Sequence, residues 1–329
     1  MNKNTIRKLV SAGLLMVLII VFTISSDYFL TFNNFMEIFR DASVVGLIGI
    51  GVTMVILTAG IDLSTGSIMA LTGMTMANIY RYTLLPIWAM ILAGLFIATL
   101  AGLFNGWIIT KFSLPEFIAT LSTMSIFRAL TYIISIKQNG LITSQALKAR
   151  SFIALGKSAG GIYYVAIVFI LMAVIGQVIL KYTRFGTYLY GVGSNRKAAQ
   201  LSGINTDKTR VLAYVITGFC AGIAAVFMTA RLQSTTALLG EGMEFNVIAA
   251  VVVGGCSLSG GRGDMIGTLI GAIFMATLDN GIYKFQINTA YQLIIKGMII
   301  ICVVAFDSWY NNFMDEISRN KKLKGVTGE

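Results

Sequence analysis

Ten apolar runs separated by short polar stretches occupy most of the chain: about 9–25, 42–60, 64–80, 86–110, 116–134, 162–180, 209–229, 244–256, 265–282 and 289–306. A helix needs about 20 apolar residues to cross roughly 30 Å of hydrocarbon, and most of these runs come near that length. They are continuous rather than alternating, which excludes an outer-membrane barrel. The pattern predicts an all-α, polytopic membrane protein of about ten transmembrane helices with no soluble domain. The runs 64–80 and 244–256 are the least regular, being short or interrupted by glycine. The opening MNKNTIRKLVSAGLLMVLIIVFTISS has the basic start and apolar run of a signal peptide. It lacks a small-x-small cleavage site, so it is expected to remain as the first helix.

Composition agrees. Of 329 residues, 56% are hydrophobic and 12% charged, half of the roughly 25% charged share usual in soluble domains. Many of the 34 glycines fall inside apolar runs, where they let helix backbones approach closely. The net charge of +11 does not point to nucleic acid, because the basic residues lie in loops and tails between runs. With ten spans both termini share a side, and that side collects fifteen of the 25 basic residues against eight on the other. The positive-inside rule puts that side, with both termini and the loop 181–210, in the cytoplasm. The loop 135–161 runs against this, with four basic residues and no acid on the outside. The chain divides into an N-terminal segment with the first helix and an external loop (1–41), a membrane domain (42–307) and a basic cytoplasmic tail (308–329).

Candidate chemistry is sparse. Gly156-Lys157-Ser158 ends like a phosphate loop, but Ser151 stands where the leading glycine belongs, and no strand precedes it. The chain therefore has no nucleotide site of its own, and no cofactor or metal is expected. Cys220, Cys256 and Cys302 are odd in number and embedded in apolar runs, as packing residues. There is no histidine, no paired-carboxylate motif and no nucleophile with a base at usable spacing. Asp62 sits between two apolar runs beside Ser64, Thr65 and Ser67, with Gly60 and Gly66 flanking. A buried acid there needs partners or a wet path, and the glycines suit a broken helix; a capped turn is the simpler alternative. Asn105 is added as a polar group near the same path. Gly255-Cys256-Ser257-Leu258-Ser259 echoes Gly60-Ile61-Asp62-Leu63-Ser64, a hint of internal duplication. Gly263, Gly267 and Gly271 recur every four residues, predicting one flat helix face for close packing. Arg128, Asp279 and Lys296 fall inside spans, and Asp279 is placed to pair with Lys296.

Residues 190–205, YGVGSNRKAAQLSGIN, form a polar interruption on the cytoplasmic side. Ser194 or Asn195 can cap a helix of about two turns that Gly203 ends. Ala198 and Leu201 give it a small apolar face, and Arg196 and Lys197 supply charge. A short amphipathic helix of this kind suits docking into a partner's groove better than binding to lipid headgroups.

Five segments, GIDLSTGS (60–67), PEFIATLSTMSIFRAL (115–130), YGVGSNRKAAQLSGIN (190–205), GGCSLSGGRGDMIGTLIGA (254–272) and YQLIIKGMIIICVVAFD (291–307), carry a resemblance. In order and spacing they resemble the ribose-type permeases of bacterial ABC sugar importers, which are related more distantly to branched-chain amino-acid permeases. The resemblance implies a plasma-membrane permease subunit with ATP-binding partner subunits, an extracytoplasmic sugar-binding protein, and a second permease copy or paralogue. It implies that Asn195, Arg196, Lys197, Ala198, Ala199, Gln200, Leu201, Ser202 and Gly203 form the coupling helix that sits in the ATPase groove. Asp62, Ser64, Thr65, Ser67 and Asn105 are then candidates for the translocation path. Pentoses, hexoses, furanoses, polyols and sugar derivatives all fit this motif set. Where relatives commonly read Asn-Pro-Glu-Ala-Ala, this chain has Asn195-Arg196-Lys197-Ala198-Ala199. Two bases near a helix N-terminus oppose the dipole, so the receiving groove is expected to be acidic. Two other classes compete: an ion-coupled secondary transporter or channel using Asp62 and Asp279, and a membrane-embedded enzyme. The scattered carboxylates disfavour the enzyme.

Overall fold

The computed structural model describes residues 3–26, 28–135, 144–285, 288, 291–292, 294–299, 301–302 and 305. Helices dominate: α1 (Lys3–Ser25), α2 (Phe32–Leu57), α3 (Thr65–Tyr82), α4 (Ile87–Lys111), α5 (Glu116–Ser135), α6 (Arg150–Leu155), α7 (Tyr164–Tyr182), α8 (Arg184–Ser194), α9 (Arg196–Leu201), α10 (Thr206–Leu232), α11 (Met243–Val253) and α12 (Met265–Lys284). Residues 291–292, 294–299 and 301–302 are also helical.

Six of these, α2, α4, α5, α7, α10 and α12, are long and apolar enough to cross a membrane. The other expected spans differ for physical reasons. The apolar part of α1, Leu9–Ser25, is shorter. Helix α3 has length, but Thr, Gly, Asn and Arg dilute its apolar content. The run 244–256 yields only the 11 residues of α11, because the chain turns at Gly254–Gly255. The run 289–306 and the tail 308–329 lie partly or wholly outside the described residues.

Helix α2 is the axis of the bundle. From Ala42 to Leu57 its side chains are buried all round, and it packs against α7, α10, α11 and α12. Small residues set the spacing. A Cβ at Gly51 would overlap the Thr217 backbone of α10, and one at Gly102 of α4 would overlap the Tyr214 carbonyl of α10. Such backbone-to-backbone approach replaces the hydrophobic drive that helices lack in lipid.

One end of the bundle carries a small cap. Strand β1 (Gln145–Ala146) pairs antiparallel with β4 (Ser234–Thr235), and β2 (Ser158–Ala159) pairs with β3 (Ile162–Tyr163). Leu147 and Phe152 of this layer close a second core over Met76, Met90, Val226 and Ala230. Arg81 Nη1 donates to Gln145 Oε1 at 3.0 Å. The described part of the basic loop 135–161 is thus anchored on α3, α4 and α10. At the opposite end lie α8, α9 and the breaks that follow α2 and α11.

Candidate functional site

Helix α2 stops in a tight turn. Gly60 N–H bonds to Val55 O at 3.0 Å and Ala59 N–H to Ile56 O at 2.9 Å, with Ala59 left-handed at φ 64°. This is the Schellman arrangement, normally closed by glycine. Helix α11 ends identically: Cys256 N–H bonds to Val251 O at 3.1 Å and Gly255 N–H to Val252 O at 2.9 Å, with Gly255 at φ 97°. The two breaks are equivalent turns, offset by one residue from the match read in the sequence. They also touch: Gly261 N–H donates to Leu57 O at 2.9 Å.

Between Gly60 and α3 the chain is not helical, and Asp62 is fully buried. Its Oδ1 accepts from Ser64 N at 2.9 Å and Ser64 Oγ at 2.7 Å. Asn105 Nδ2, from α4, donates to Ser64 Oγ at 2.7 Å. Ser67 Oγ donates to Ser64 O at 2.7 Å. Asp62 makes this Asx turn and leaves the N-cap position to Ser64, whose side chain makes no cap bond. The structure thus joins Asp62, Ser64, Ser67 and Asn105 in one network, with Thr65 adjacent. Three polar atoms there, Asp62 Oδ2, Thr65 Oγ1 and Asn105 Oδ1, are buried without a hydrogen-bond partner. Buried polar atoms are rarely left so.

A second cluster lies beside it that sequence reasoning missed. Glu116, at the start of α5, pairs with Arg210 of α10, whose side chain is only 4% exposed. Tyr214 hydroxyl lies 3.1 Å from Glu116 Oε2 and 3.4 Å from the Ile61 carbonyl, and Thr120 Oγ1 donates to that carbonyl at 3.1 Å. These residues therefore hold the backbone just before Asp62. Glu116 and Arg210 are 94 positions apart, with no local spacing to connect them. The available hint was a charged residue at the first turn of two different spans.

Helix α9 has the caps expected of it. Asn195 Oδ1 accepts from Ala198 N at 3.0 Å, and Gly203, at φ 81°, closes the helix with Ile204 N–H on Ala199 O at 3.0 Å. Ala199 is buried; Lys197, Ala198 and Leu201 are exposed, Leu201 by 91%. Arg196 Nη2, in contrast, is held by Asp207 Oδ1 at 2.8 Å. Ahead of α9, helix α8 was not foreseen. Its last turn wedges into the breaks: a Cβ at Gly193 would overlap Leu57 O and lie 2.6 Å from Gly261 N. Tyr190 hydroxyl donates to Gly263 O at 2.8 Å. Burial, and then the charge of Asp264, push that phenol up to about 12, so it stays a donor at any physiological pH.

The glycine face needs one correction. Gly263 is not on the helix; it takes a positive φ of 143°, a conformation that favours glycine, and Asp264 caps α12 by accepting from Gly267 N at 2.9 Å. The cap places the helix start after Gly263, so four-residue spacing does not put it on the face. Gly267 and Gly271 do lie on α12, and a Cβ at either would overlap the Gly254 or Ala250 carbonyl of α11. Their face packs within the chain. Of the charges in spans, Lys296 Nζ lies 3.0 Å from Asp279 Oδ1. Arg128 Nη1 instead donates to the Ala237 and Leu239 carbonyls, pinning the loop before α11.

The model of the family described as branched-chain amino acid transport system / permease component matches residues 34–304. The chain is 39% identical over 297 residues to the ribose import permease protein RbsC of Bacillus subtilis, covering 89% of this chain and 90% of that one. It is 36% identical to the ribose import permease protein RbsC of Escherichia coli K12 over 303 residues, 90% of this chain and 92% of that one. It is also 36% identical to the D-allose transport system permease protein AlsC of Escherichia coli K12 over 295 residues, 89% of each chain. No solved structure matches.

Proposed function

The chain belongs to the family of branched-chain amino acid transport system permease components, and from that premise we propose that it is the membrane-spanning permease subunit of an ATP-driven bacterial sugar importer. The observation that carries this reading is the identity of 36–39% across about nine-tenths of the chain to ribose and allose permeases. It is a multi-pass protein of the bacterial plasma membrane, with about ten spans and both termini in the cytoplasm. ATP-binding subunits dock beneath it, an extracytoplasmic binding protein delivers sugar above it, and a second permease copy or a paralogue completes the path.

Within this reading α9 is the coupling helix. Its exposed Lys197, Ala198 and Leu201 form the face an ATPase groove receives, and a largely bare leucine is the anchor such a groove buries. The network of Asp62, Ser64, Thr65, Ser67 and Asn105 borders the path. Its unpartnered oxygens offer acceptors to a sugar's hydroxyls, and weak, few contacts leave selectivity to the binding protein. ATP-driven closure of the ATPases moves α9, and the breaks after α2 and α11 yield because their backbone is not held in a helix. Of the two acids an ion-coupled transporter could use, Asp279 is engaged by Lys296.

The test is uptake of radiolabelled ribose or allose into cells co-expressing the permease with its neighbouring ATPase and binding protein. Uptake that stops when the ATPase's catalytic residue is disabled supports the reading. Uptake by the permease alone, driven by an ion gradient, overturns it. Leu201→Asp should abolish co-purification of the ATPase while leaving the permease in the membrane.

A further inference from the structure

A cavity of about 390 Å³ opens at the α9 end, between Arg196 and Arg210 on one side and Ala59, Ile61, Pro115 and Glu116 on the other. A chain of polar contacts runs from α9 toward the break before Asp62. Arg196 holds Asp207 at 2.8 Å; Asp207 Oδ1 lies 3.9 Å from Arg210 Nη1; Arg210 pairs with Glu116. Glu116 faces the Tyr214 hydroxyl at 3.1 Å, and that hydroxyl lies 3.4 Å from the Ile61 carbonyl.

Building on the coupling-helix reading, we propose that Arg196, Asp207, Arg210, Glu116 and Tyr214 are positioning residues that transmit movement of α9 to the Ile61–Asp62 break. Two joints in the chain have alternatives. The Asp207–Arg210 gap is beyond hydrogen-bond range, and Arg210 Nη1 is buried with no hydrogen-bond acceptor. Asp207 can therefore leave Arg196 and close on Arg210. Tyr214 has one O–H and two acceptors in reach, so it serves Glu116 or the Ile61 carbonyl, not both fully. Displacement of α9 takes Arg196 away from Asp207. Asp207 closes on Arg210 and draws it from Glu116. Glu116, losing that partner, takes the Tyr214 hydroxyl, and the Ile61 carbonyl is left to Thr120 alone. The break is then looser by one contact at the moment the path must switch. Each step exchanges partners between groups already present. That supplies the two discrete arrangements that transmission between separated sites requires.

The experiment uses the whole importer in proteoliposomes, with sugar uptake and ATP hydrolysis measured on the same preparation, normalised to assembled complex. Tyr214→Phe keeps the buried ring, and Asp207→Asn keeps the size of an exposed side chain. Each should lower sugar moved per ATP hydrolysed by at least about threefold, while Asp207→Glu keeps the wild-type ratio. Arg196→Gln combined with Tyr214→Phe should be no worse than the worse single variant, because both interrupt one chain. Independent sites would multiply. If Arg196→Gln fails to assemble, Asp207→Asn with Tyr214→Phe is read the same way. Wild-type ratios in the single variants, or a multiplicative double variant, would overturn the relay while the importer reading stands. A wild-type complex that moves sugar without hydrolysing ATP would overturn both.

Discussion

Gly193 offers the sharpest test of how the bundle is joined at the α9 end. It lies in the last turn of α8, where alanine normally gains about 1 kcal/mol over glycine from helix propensity. Here the added Cβ would overlap the Leu57 carbonyl oxygen and lie 2.6 Å from Gly261 N. Both are backbone atoms, so neither can swing aside as a side chain would. Overpacking of this kind costs about 1–3 kcal/mol. Separating these segments also strains the Gly261 N–H bond to Leu57 O at 2.9 Å, worth about 1 kcal/mol net. After the propensity gain, Gly193→Ala should be destabilised by about 1–3 kcal/mol. Gly191, two residues earlier on the same helix, is the control: its added Cβ would meet only Ile204 Cδ1, at 3.7 Å. Gly191→Ala should therefore gain about 0.5–1 kcal/mol. The assay is thermal unfolding of the purified permease in detergent at one scan rate, since unfolding of such proteins is commonly irreversible. The midpoints should order Gly191→Ala, then wild type, then Gly193→Ala. A Gly193→Ala midpoint at or above that of Gly191→Ala would refute the interlock of α8 with the two breaks.

Tyr190→Phe should lower stability by about 1 kcal/mol through loss of the bond to Gly263 O. Because the folded phenol titrates above its unfolded value, the wild-type advantage should be flat at lower pH and shrink only as pH rises past 10 toward 12. A wild-type advantage that vanished near neutrality, in the same unfolding assay, would contradict this. Asp279→Asn should cost roughly 1 kcal/mol by stranding a partly buried Lys296, and Asp279→Asn with Lys296→Gln should recover most of it, as midpoints of the two variants would tell. Asp62→Asn keeps the shape but weakens acceptance from Ser64. Uptake should fall about tenfold with assembly intact, and normal uptake would remove Asp62 from the path.

Most spans were legible because twenty apolar residues have few other uses. The failures share a cause: composition reports what a residue prefers, not where a turn begins. The run 244–256 stays apolar through Val253, Gly254, Gly255 and Cys256, so hydropathy cannot see the Schellman turn that ends α11 at Val253. Ala59 hides its twin still better, since alanine in a left-handed conformation costs roughly 1–2 kcal/mol and gives no sequence signal for the turn it closes. Gly263 matched a helical spacing that Asp264, a good cap, should have cut short. At the site, Asp62 with Ser64 was readable as a local motif, and Asn105 was placed beside it. Glu116, Arg210 and Tyr214 were not, because their meeting is a product of helix packing.

Arg196 carries that lesson into the partner. On sequence, two bases at the start of α9 call for an acidic groove. In the fold, the pair is not a unit. Arg196 is paired with Asp207 at 2.8 Å, in the first turn of α10, so that acid stands in for the one relatives commonly carry in α9 itself. Arg196 is exposed but carries its own counter-ion, whereas Lys197 is exposed beside Ala198 and Leu201. A single exposed lysine at a rim contributes mainly to encounter rate and salt dependence, while a buried leucine contributes to residence time. On the proposed coupling-helix reading, the groove expected is then an apolar pocket with one acid at its edge. If Asp207 leaves Arg196 during transport, the second positive charge is presented only then. An additional acid in the groove would favour the moved position of α9 over the resting one, acting on the switch rather than on docking.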